Sequence, residues 1–349
     1  MNHNGSGPKT SVSVIMPVRN EASFIRLSVG SVLAQDYPGD ELEVIIADGM
    51  STDETRTIVA SMQAEHPNIR LIDNPGRKVS TGLNAAITHA TGEVIIRVDG
   101  HCTIAPDYVR RCVEHIERDG VDCVGGKIHT IGRTTLGEVI AEATSSRFGV
   151  GNSAFRTSND STKLSDTVPF PAYTRAIIEK AGPYDEELVR NQDDEYNYRL
   201  RKLGARILLA SDIFSTYYCR SSLRSLWRQY FEYGYWKVRV MQKHPRQMRW
   251  RQFVPPVFVG TVILFILLLP VWLPVELPLL VVAGTYLAAN IIASFVIAMR
   301  SKWKLFPFLP AAFCAIHSAF GYGFLVGMVK FRNRWGTPAD GNLPIEHTR

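Results

Sequence analysis

From Ser11 onward the apolar positions fall into two alternating patterns. SVSVIMPV (Ser11–Val18), LEVIIAD ending at Asp48, NIRLID ending at Asp73 and GEVIIRVD ending at Asp99 are short runs rich in β-branched residues. Such runs read as strands buried on both faces. Between them, Glu21–Gln35, a segment from about Ser51 to His66, and Thr81–Thr91 carry apolar residues at three- and four-residue intervals. That spacing predicts helices, with Ser51 or Thr52 placed to cap the second. Strand and helix in alternation predict a parallel sheet with right-handed crossovers. Beyond Asp107 the pattern predicts a helix to about Arg118, the strand VDCVGGKI and a helix over 136–148. The Gly125-Gly126 pair in that strand suits a bulge or the close approach of a ligand. A mobile loop is expected from Gly149 to Thr167, then a helix after Pro169–Tyr173 and a turn at AGPYDEEL. A helix over Gln192–Leu203 and two strands, RILLA and IFSTYY, complete this part of the chain.

The pattern changes at Ser222. Ser222–His244 is an aromatic and basic helix with Leu226, Trp227, Tyr230, Tyr233, Gly234 and Lys237 at helical intervals. It can lie on a membrane surface or pack as an ordinary amphipathic helix. Three apolar segments follow, Val254–Val275, Leu277–Met299 and Leu305–Val329, each near the roughly 20 residues a spanning helix needs. The first two form a hairpin around Glu276, with Arg246, Arg249 and Arg251 before it and Arg300, Lys302 and Lys304 after it. This places both outer ends in the cytoplasm by the positive-inside tendency. The third segment carries Pro307, Pro310, His317 and Gly321 and is followed by Lys330, Arg332 and Arg334. It either crosses against the charge rule or is re-entrant.

Composition adds a few bounds. At 349 residues the chain accommodates a catalytic domain of roughly 200 residues and a further region. The net charge of +6 is local, because residues 220–251 hold many Arg and Lys and one acid, Glu232. A basic cluster beside apolar segments points to an anionic membrane face rather than nucleic acid. The 5 cysteines are scattered without a CxxC pair, which supports neither a disulfide framework nor a zinc site. A reducing compartment is expected for the domain holding the first four. MNHNGSGPKT is polar and lacks the apolar core of a signal peptide, so the first domain is expected to stay in the cytoplasm.

Candidate chemistry gathers just past the strands, where open α/β sheets bind ligands. Pro17-Val18-Arg19-Asn20-Glu21 follows the first strand, and Asp48-Gly49-Met50-Ser51-Thr52-Asp53 follows the second. Asp48 is placed to accept hydrogen bonds from a base or ribose. Gly76-Arg77-Lys78 and then Gly82-Leu83-Asn84-Ala85-Ala86 offer cationic and amide groups to a phosphate. Asp99-Gly100-His101 ends the fourth strand, and its Gly allows a sharp turn that brings both side chains toward one divalent cation. No GxGxxG follows the first strand, which disfavours a dinucleotide dehydrogenase. Taken singly each cluster has an ordinary explanation: Asp48 ends a strand, Lys78 is a solvated charge, Asp99 caps a turn.

Together and in this order, PVRNE, DGMSTD, GLNAAI, DGH and QDDE resemble the motifs of the inverting family 2 glycosyltransferases with a GT-A fold. The resemblance runs from about Ser11 to Tyr235 and looks most similar to the group that builds exopolysaccharides on a lipid carrier, as in succinoglycan synthesis. It implies an α/β architecture: a GT-A, Rossmann-like catalytic domain with a mostly parallel sheet, followed by a C-terminal transmembrane helical region. The expected division is a disordered N-terminus over 1–10, the catalytic domain over 11–221, an interface helix over 222–252, a membrane region over 253–330 and a tail over 331–349. The resemblance assigns Asp193 as general base. It assigns Pro17, Arg19, Glu21, Asp48, Lys78, Asn84 and Asp99 to the nucleotide-sugar, and Asp99 with His101 to Mn²⁺ or Mg²⁺. Two positions depart from the pattern: His101 stands for the second Asp of DxD, and Gln192 for the Glu of ED. Asp194 and Glu195 read as acids favoured by a helix N-terminus, a reading open to Asp193 as well. Where processive relatives carry QxxRW, this chain has Gln229-Tyr230-Phe231-Glu232-Tyr233, and the lost cation argues against a polymer synthase. The expected activity is sugar transfer from a nucleotide-sugar, expected to be a UDP-sugar, to a polyprenyl or other lipid-linked saccharide, on the cytoplasmic side of the inner membrane. A nucleotidyltransferase and an inactive scaffold are the alternatives.

Overall fold

Four runs of β-branched residues, three of which lead to an aspartate, lie side by side in the same direction. The computed structural model describes residues 10–151, 153–157, 161–219 and 221–335. The N-terminus expected to be disordered, Thr10 excepted, and the tail beyond Trp335 lie outside them. In chain order the elements of the first part are β1 (Val12–Val18), α1 (Ile25–Leu33), β2 (Leu42–Asp48), α2 (Thr55–Glu65), β3 (Ile69–Asp73), α3 (Val79–His89), β4 (Val94–Arg97), β5 (Cys102–Ile104), α4 (Tyr108–Asp119) and β6 (Cys123–Ile131). There follow α5 (Thr135–Ser145), α6 (Arg147–Val150), α7 (Ala154–Thr157), β7 (Lys163–Leu164), β8 (Ala172–Thr174), α8 (Arg175–Ala181), α9 (Gln192–Lys202) and β9 (Ile207–Tyr218).

The sheet order is β3-β2-β1-β4-β8-β6-β9-β5, with β7 on β9. The first four strands form the parallel core, with Val18 opposite Asp48 and Asp48 opposite Asp73. The first three strands therefore end level, β4 ends with Arg97 opposite Ile15, and the loops carrying the sequence motifs leave from one edge. β8 runs antiparallel to both of its neighbours, with Ile96 facing Ala172 and Cys123 facing Tyr173, and β5 runs antiparallel to β9, with Cys102 facing Tyr217.

Several local differences from the sequence pattern have physical reasons. The first helix starts at Ile25, not Glu21, because the N–H groups of Asn20, Glu21 and Ala22 bond outward to Ser51 Oγ, Thr55 Oγ1 and Asp53 Oδ2. Neither Ser51 nor Thr52 caps the second helix. Ser51 Oγ donates to Asp48 Oδ1, and Asp53 Oδ1 accepts from the Thr55 N–H at 3.0 Å. The loop expected over 149–167 holds α7 and β7, and its residues 152 and 158–160 lie outside those described. RILLA and IFSTYY form one 12-residue strand. The Ser211-Asp212 pair that suggested a break is satisfied inside it: the Ser211 N–H donates to Thr162 Oγ1, and Asp212 accepts from His115 Nε2 and Arg111. The glycine pair in β6 serves close approach of backbone. A Cβ on Gly126 would overlap the Ile213 carbonyl, and one on Gly125 would lie 2.6 Å from the Pro169 oxygen.

The chain divides into two compact units, Met1–His129 with Ser158–Tyr217, and Thr130–Thr157 with Tyr218–Arg349. The first unit runs to Tyr217, and residues 130–157 belong with the second unit. The reason is packing: Val139, Ile140 and Ala143 of α5 share a buried cluster with Leu226, Leu309, Ala312, Phe313 and Ile316. The second unit continues with α10 (Leu223–Lys243), α11 (Val254–Leu268), α12 (Glu276–Arg300) and α13 (Leu309–Lys330).

Among the described residues, three helices are long and apolar enough to cross a membrane: Trp250–Leu268, which takes in the short turn before α11, then α12 and α13. The first stops well before Val275. The third starts at Leu309 with Pro310 in its first turn, where a missing N–H costs nothing. It is one uninterrupted helix of 22 residues, not a re-entrant pair. Its polar and small residues have partners. His317 bonds Tyr286 Oη at 3.1 Å and the Phe148 carbonyl at 2.8 Å. A Cβ on Gly321 would sit 2.5 Å from the Pro255 oxygen.

Helix α10 packs along α13. Lys237 and Arg239 are buried there, and Arg239 Nη1 donates to Gln242 Oε1 and the Arg334 carbonyl. The two helices approach through glycine. A Cβ on Gly234 would overlap the Phe320 carbonyl, and one on Gly323 the Phe231 carbonyl. Close backbone approach of this kind is how helices associate where lipid offers no hydrophobic drive. Gly323→Ala is therefore expected to destabilise the detergent-solubilised protein by about 1–3 kcal/mol. Gly284→Ala, in open space on α12, should change little or stabilise slightly. Thermal unfolding of both variants checks this, and equal midpoints would refute the packing argument.

Candidate active site

The parallel edge brings the first two motifs into one hydrogen-bonded cluster. Asp48 is fully buried. Its carboxylate accepts from the Ser51 hydroxyl at 2.5 Å, the Ser51 N–H at 3.1 Å and Arg56 at 3.3 Å. Arg56 also bonds Asp73 at 2.6 Å. A ligand would reach Asp48 by displacing one of these partners. Pro17 is buried in β1 opposite Ala47, whereas Arg19 is exposed and lays its stem along Gly49. Asn20 and Met50 both hold left-handed backbone, φ 55° and 56°, a conformation Asn tolerates better than Met. Backbone of this kind concentrates at functional sites.

Asp99, Gly100 and His101 follow β4. Gly100 does not adopt left-handed backbone. Its need for a small residue is steric, since a Cβ would lie 3.0 Å from Val18 Cγ1 and 3.1 Å from Glu21 Cγ. That closeness lets His101 Nδ1 meet Glu21 Oε1 at 2.9 Å, while the ring stacks edge-on against Tyr217, centroids 5.1 Å apart. Glu21 thus orients the imidazole, the usual role of a carboxylate behind a metal-binding histidine. The donor atoms of Asp99, His101 and Cys102 lie within 4.8 Å of one another, close enough for one cation to bridge. Asp99 and His101 suit a hard to borderline divalent ion. Cys102, which the sequence reading passed over, is a soft donor buried in the core cluster.

Arg97 is the feature the sequence reading missed. It ends β4 and is 6 % exposed. Its Nε donates to Asp99 Oδ1 at 2.9 Å and its Nη1 to Asp193 Oδ1. The clue was present in VIIRV: an Arg inside a strand buried on both faces has to be paired. Burial alone would weaken the guanidinium charge, but Asp193 and Asp99 hold it protonated well above its ordinary range.

Asp193 lies in the first turn of α9, after Asn191 in left-handed backbone at φ 62°. Crowding by protein raises its carboxyl above the usual range, Arg97 opposes that rise, and Asp99 and Asp194 reinforce it. Even so, 45 % of its side chain remains accessible. Glu195 is buried and paired with Arg199 at 2.9 Å, a structural role. Gln192 is also buried, and its Oε1 has no hydrogen-bond partner among the described residues. A neutral amide at this place avoids burying a further charge beside Asp193.

The third motif turns inward instead of toward open space. Lys78 Nζ donates to the Glu186 carbonyl at 2.7 Å. Asn84 Nδ2 donates to the Tyr184 carbonyl and Glu186 Oε1, both at 2.9 Å, and its Oδ1 accepts from the Tyr184 N–H at 2.8 Å. Both side chains tie down the turn that leads to α9. The amide of Asn84 is fully used in this way, so the phosphate contact expected of it would cost those bonds. Asn84→Ala should lower stability by about 1–3 kcal/mol while leaving nucleotide affinity of the folded protein near normal. Thermal unfolding and nucleotide titration check this, and a large affinity loss without destabilisation would restore the phosphate role.

Comparison with known proteins matches this geometry. Residues 13–181 fit the family model of glycosyl transferase family 2. The chain is 32 % identical over 330 residues to the succinoglycan biosynthesis protein ExoA of Rhizobium meliloti (strain 1021), covering 93 % of this chain and 97 % of that one. It is 27 % identical over 331 residues to a dolichyl N-acetyl-alpha-D-glucosaminyl phosphate 3-beta-D-2,3-diacetamido-2,3-dideoxy-beta-D-glucuronosyltransferase of Methanococcus voltae, covering 91 % and 97 %. Among solved structures, the mannosyltransferase PcManGT from Pyrobaculum calidifontis in complex with GDP-Man and Mn²⁺ superposes with TM-score 0.57 at 21 % identity, covering 92 % of this chain and 87 % of that one. The likeness in structure carries the fold alone, but the extended identity carries more: the chain belongs to glycosyl transferase family 2, and the protein is a glycosyltransferase.

Proposed function

We propose that the enzyme transfers a sugar from a nucleotide-sugar, a UDP-sugar in the first instance, to a lipid-linked saccharide at a membrane, with inversion and one sugar at a time. The observation that carries this reading is the convergence of Asp99 and Asp193 on one buried guanidinium. It joins the carboxylate next to the expected diphosphate site to the carboxylate expected to act as base. In the proposed step an acceptor hydroxyl attacks the anomeric carbon and its proton passes to Asp193. The new C–O bond forms as the bond from the anomeric carbon to the phosphate oxygen breaks, and the electron pair leaves with the nucleoside diphosphate. Asp99 and His101 are the residues that would hold Mn²⁺ or Mg²⁺. When bound, such an ion supplies positive charge against the charge building on the diphosphate. The imidazole favours Mn²⁺ over Mg²⁺, which prefers oxygen ligands. The Mn²⁺ bound to the Pyrobaculum enzyme supports this choice.

Succinoglycan biosynthesis in the name of the Rhizobium relative, and a dolichyl sugar phosphate in that of the Methanococcus relative, support a lipid-linked acceptor in polysaccharide or glycolipid assembly. Three apolar helices support attachment to the inner membrane. Arg246, Arg249, Arg251, Arg300, Lys302 and Lys304 at the outer ends of the hairpin support a catalytic domain on the cytoplasmic face. Family membership removes the nucleotidyltransferase alternative. Glu232, in place of the cation of processive relatives, supports transfer of single sugars.

The test is nucleoside diphosphate release from a panel of UDP-glucose, UDP-galactose and GDP-mannose, with a membrane lipid extract as acceptor. Asp193→Asn keeps an oxygen for Arg97 but takes no proton. It should fold, bind donor and lose turnover by roughly a hundredfold or more, while Asp194→Asn loses far less. Equal activities in the two variants would put the base on another residue. For the cation, EDTA should abolish release and added Mn²⁺ restore it. Titration calorimetry should show Mn²⁺ binding lost in Asp99→Asn and kept in His101→Asp. Full activity in EDTA would remove the metal from the proposal.

A further inference from the structure

Arg97 does more than cancel charge. Its guanidinium grips two carboxylates with two different nitrogens, Nε on Asp99 Oδ1 and Nη1 on Asp193 Oδ1. A planar fork held at both ends cannot rotate without breaking one bond. The bond to Asp193 occupies one carboxylate oxygen, whereas 45 % of that side chain is still accessible. We propose that Arg97 is a positioning residue for sugar transfer. By holding Oδ1 it fixes the rotation of the Asp193 carboxylate and leaves Oδ2 as the oxygen that takes the acceptor's proton. The inference rests on Asp193 being the general base. The hydroxyl proton goes to Oδ2 as the new C–O bond forms, and Arg97 neither gives nor takes a proton. An unrestrained carboxylate would present either oxygen in many orientations, and misplacement by about 1 Å can cost a hundredfold in rate.

Lysine keeps the charge but offers a point donor in place of the fork, so Arg97→Lys separates orientation from charge balance. It should retain donor affinity and a near-normal unfolding midpoint in detergent, yet lose roughly tenfold to a hundredfold in kcat by the release assay above. If Arg97 acts through Asp193, the same substitution made in Asp193→Asn should cost little further. Unchanged kcat in Arg97→Lys overturns the proposal, as does an equal loss with and without Asp193. Should Arg97→Lys not fold, Arg97→Ala assayed with added methylguanidinium carries the test. Several-fold recovery of kcat without a change in KM is expected, and no recovery overturns the proposal. Asp193→Asn alone reads the base separately. Turnover near that of the unmodified protein would overturn the base assignment itself, whatever Arg97 does.

Discussion

A guanidinium withdrawn from water is tolerable only if carboxylates meet it, and the catalytic unit is arranged so that two do. Arg97 sits at the end of a central strand, one carboxylate, Asp99, lies just beyond Val98, and the other arrives on a helix far along the chain. Everything between has to place Asp193 at that spot. The turn before α9 is tied down by Lys78 and Asn84, left-handed Asn191 turns the chain into the helix, and Tyr184 stacks on Tyr196 with centroids 3.9 Å apart. Removing Asp193 leaves Arg97 paired with Asp99, whereas removing Arg97 would leave two carboxylates facing each other without their cation.

The same economy recurs on the other side of the strand edge. Asp48 holds Ser51, Ser51 accepts the Asn20 N–H, and the neighbouring Glu21 holds His101. The loop after the first strand is thus stitched both to the loop after the second and to His101 after the fourth. Three motifs that are separate in sequence behave as one connected group of side chains.

The parallel core was legible because its strands are continuous apolar, β-branched runs that alternate with segments of helical spacing, three of them leading to an aspartate. The short strands β5 and β8 were not, since three residues cannot establish a period and their pairing is decided by distant partners. Of the candidate site, the sequence proposes the outward residues Asp99, His101 and Asp193 but not the contacts that hold them. Lys78 and Asn84 have the composition of phosphate binders, and only tertiary structure shows their donors turned toward residues 184–186. Arg97 could have been found from the cost of burying it. In the second unit, the glycines and His317 that weaken the third apolar segment as an isolated span are what join it to its neighbours.

Those glycine contacts have a directional consequence. Where side chains set the distance between two helices, a change that adds bulk on one can be matched by a trim on the other. At Gly234 and Gly323 the opposing atoms are main-chain carbonyls, which no substitution removes. Each position already bears the smallest residue there is. Sequence drift can therefore only push α10 and α13 apart, never draw them closer, and the spacing between them is a floor with no compensating mutation on the opposite helix.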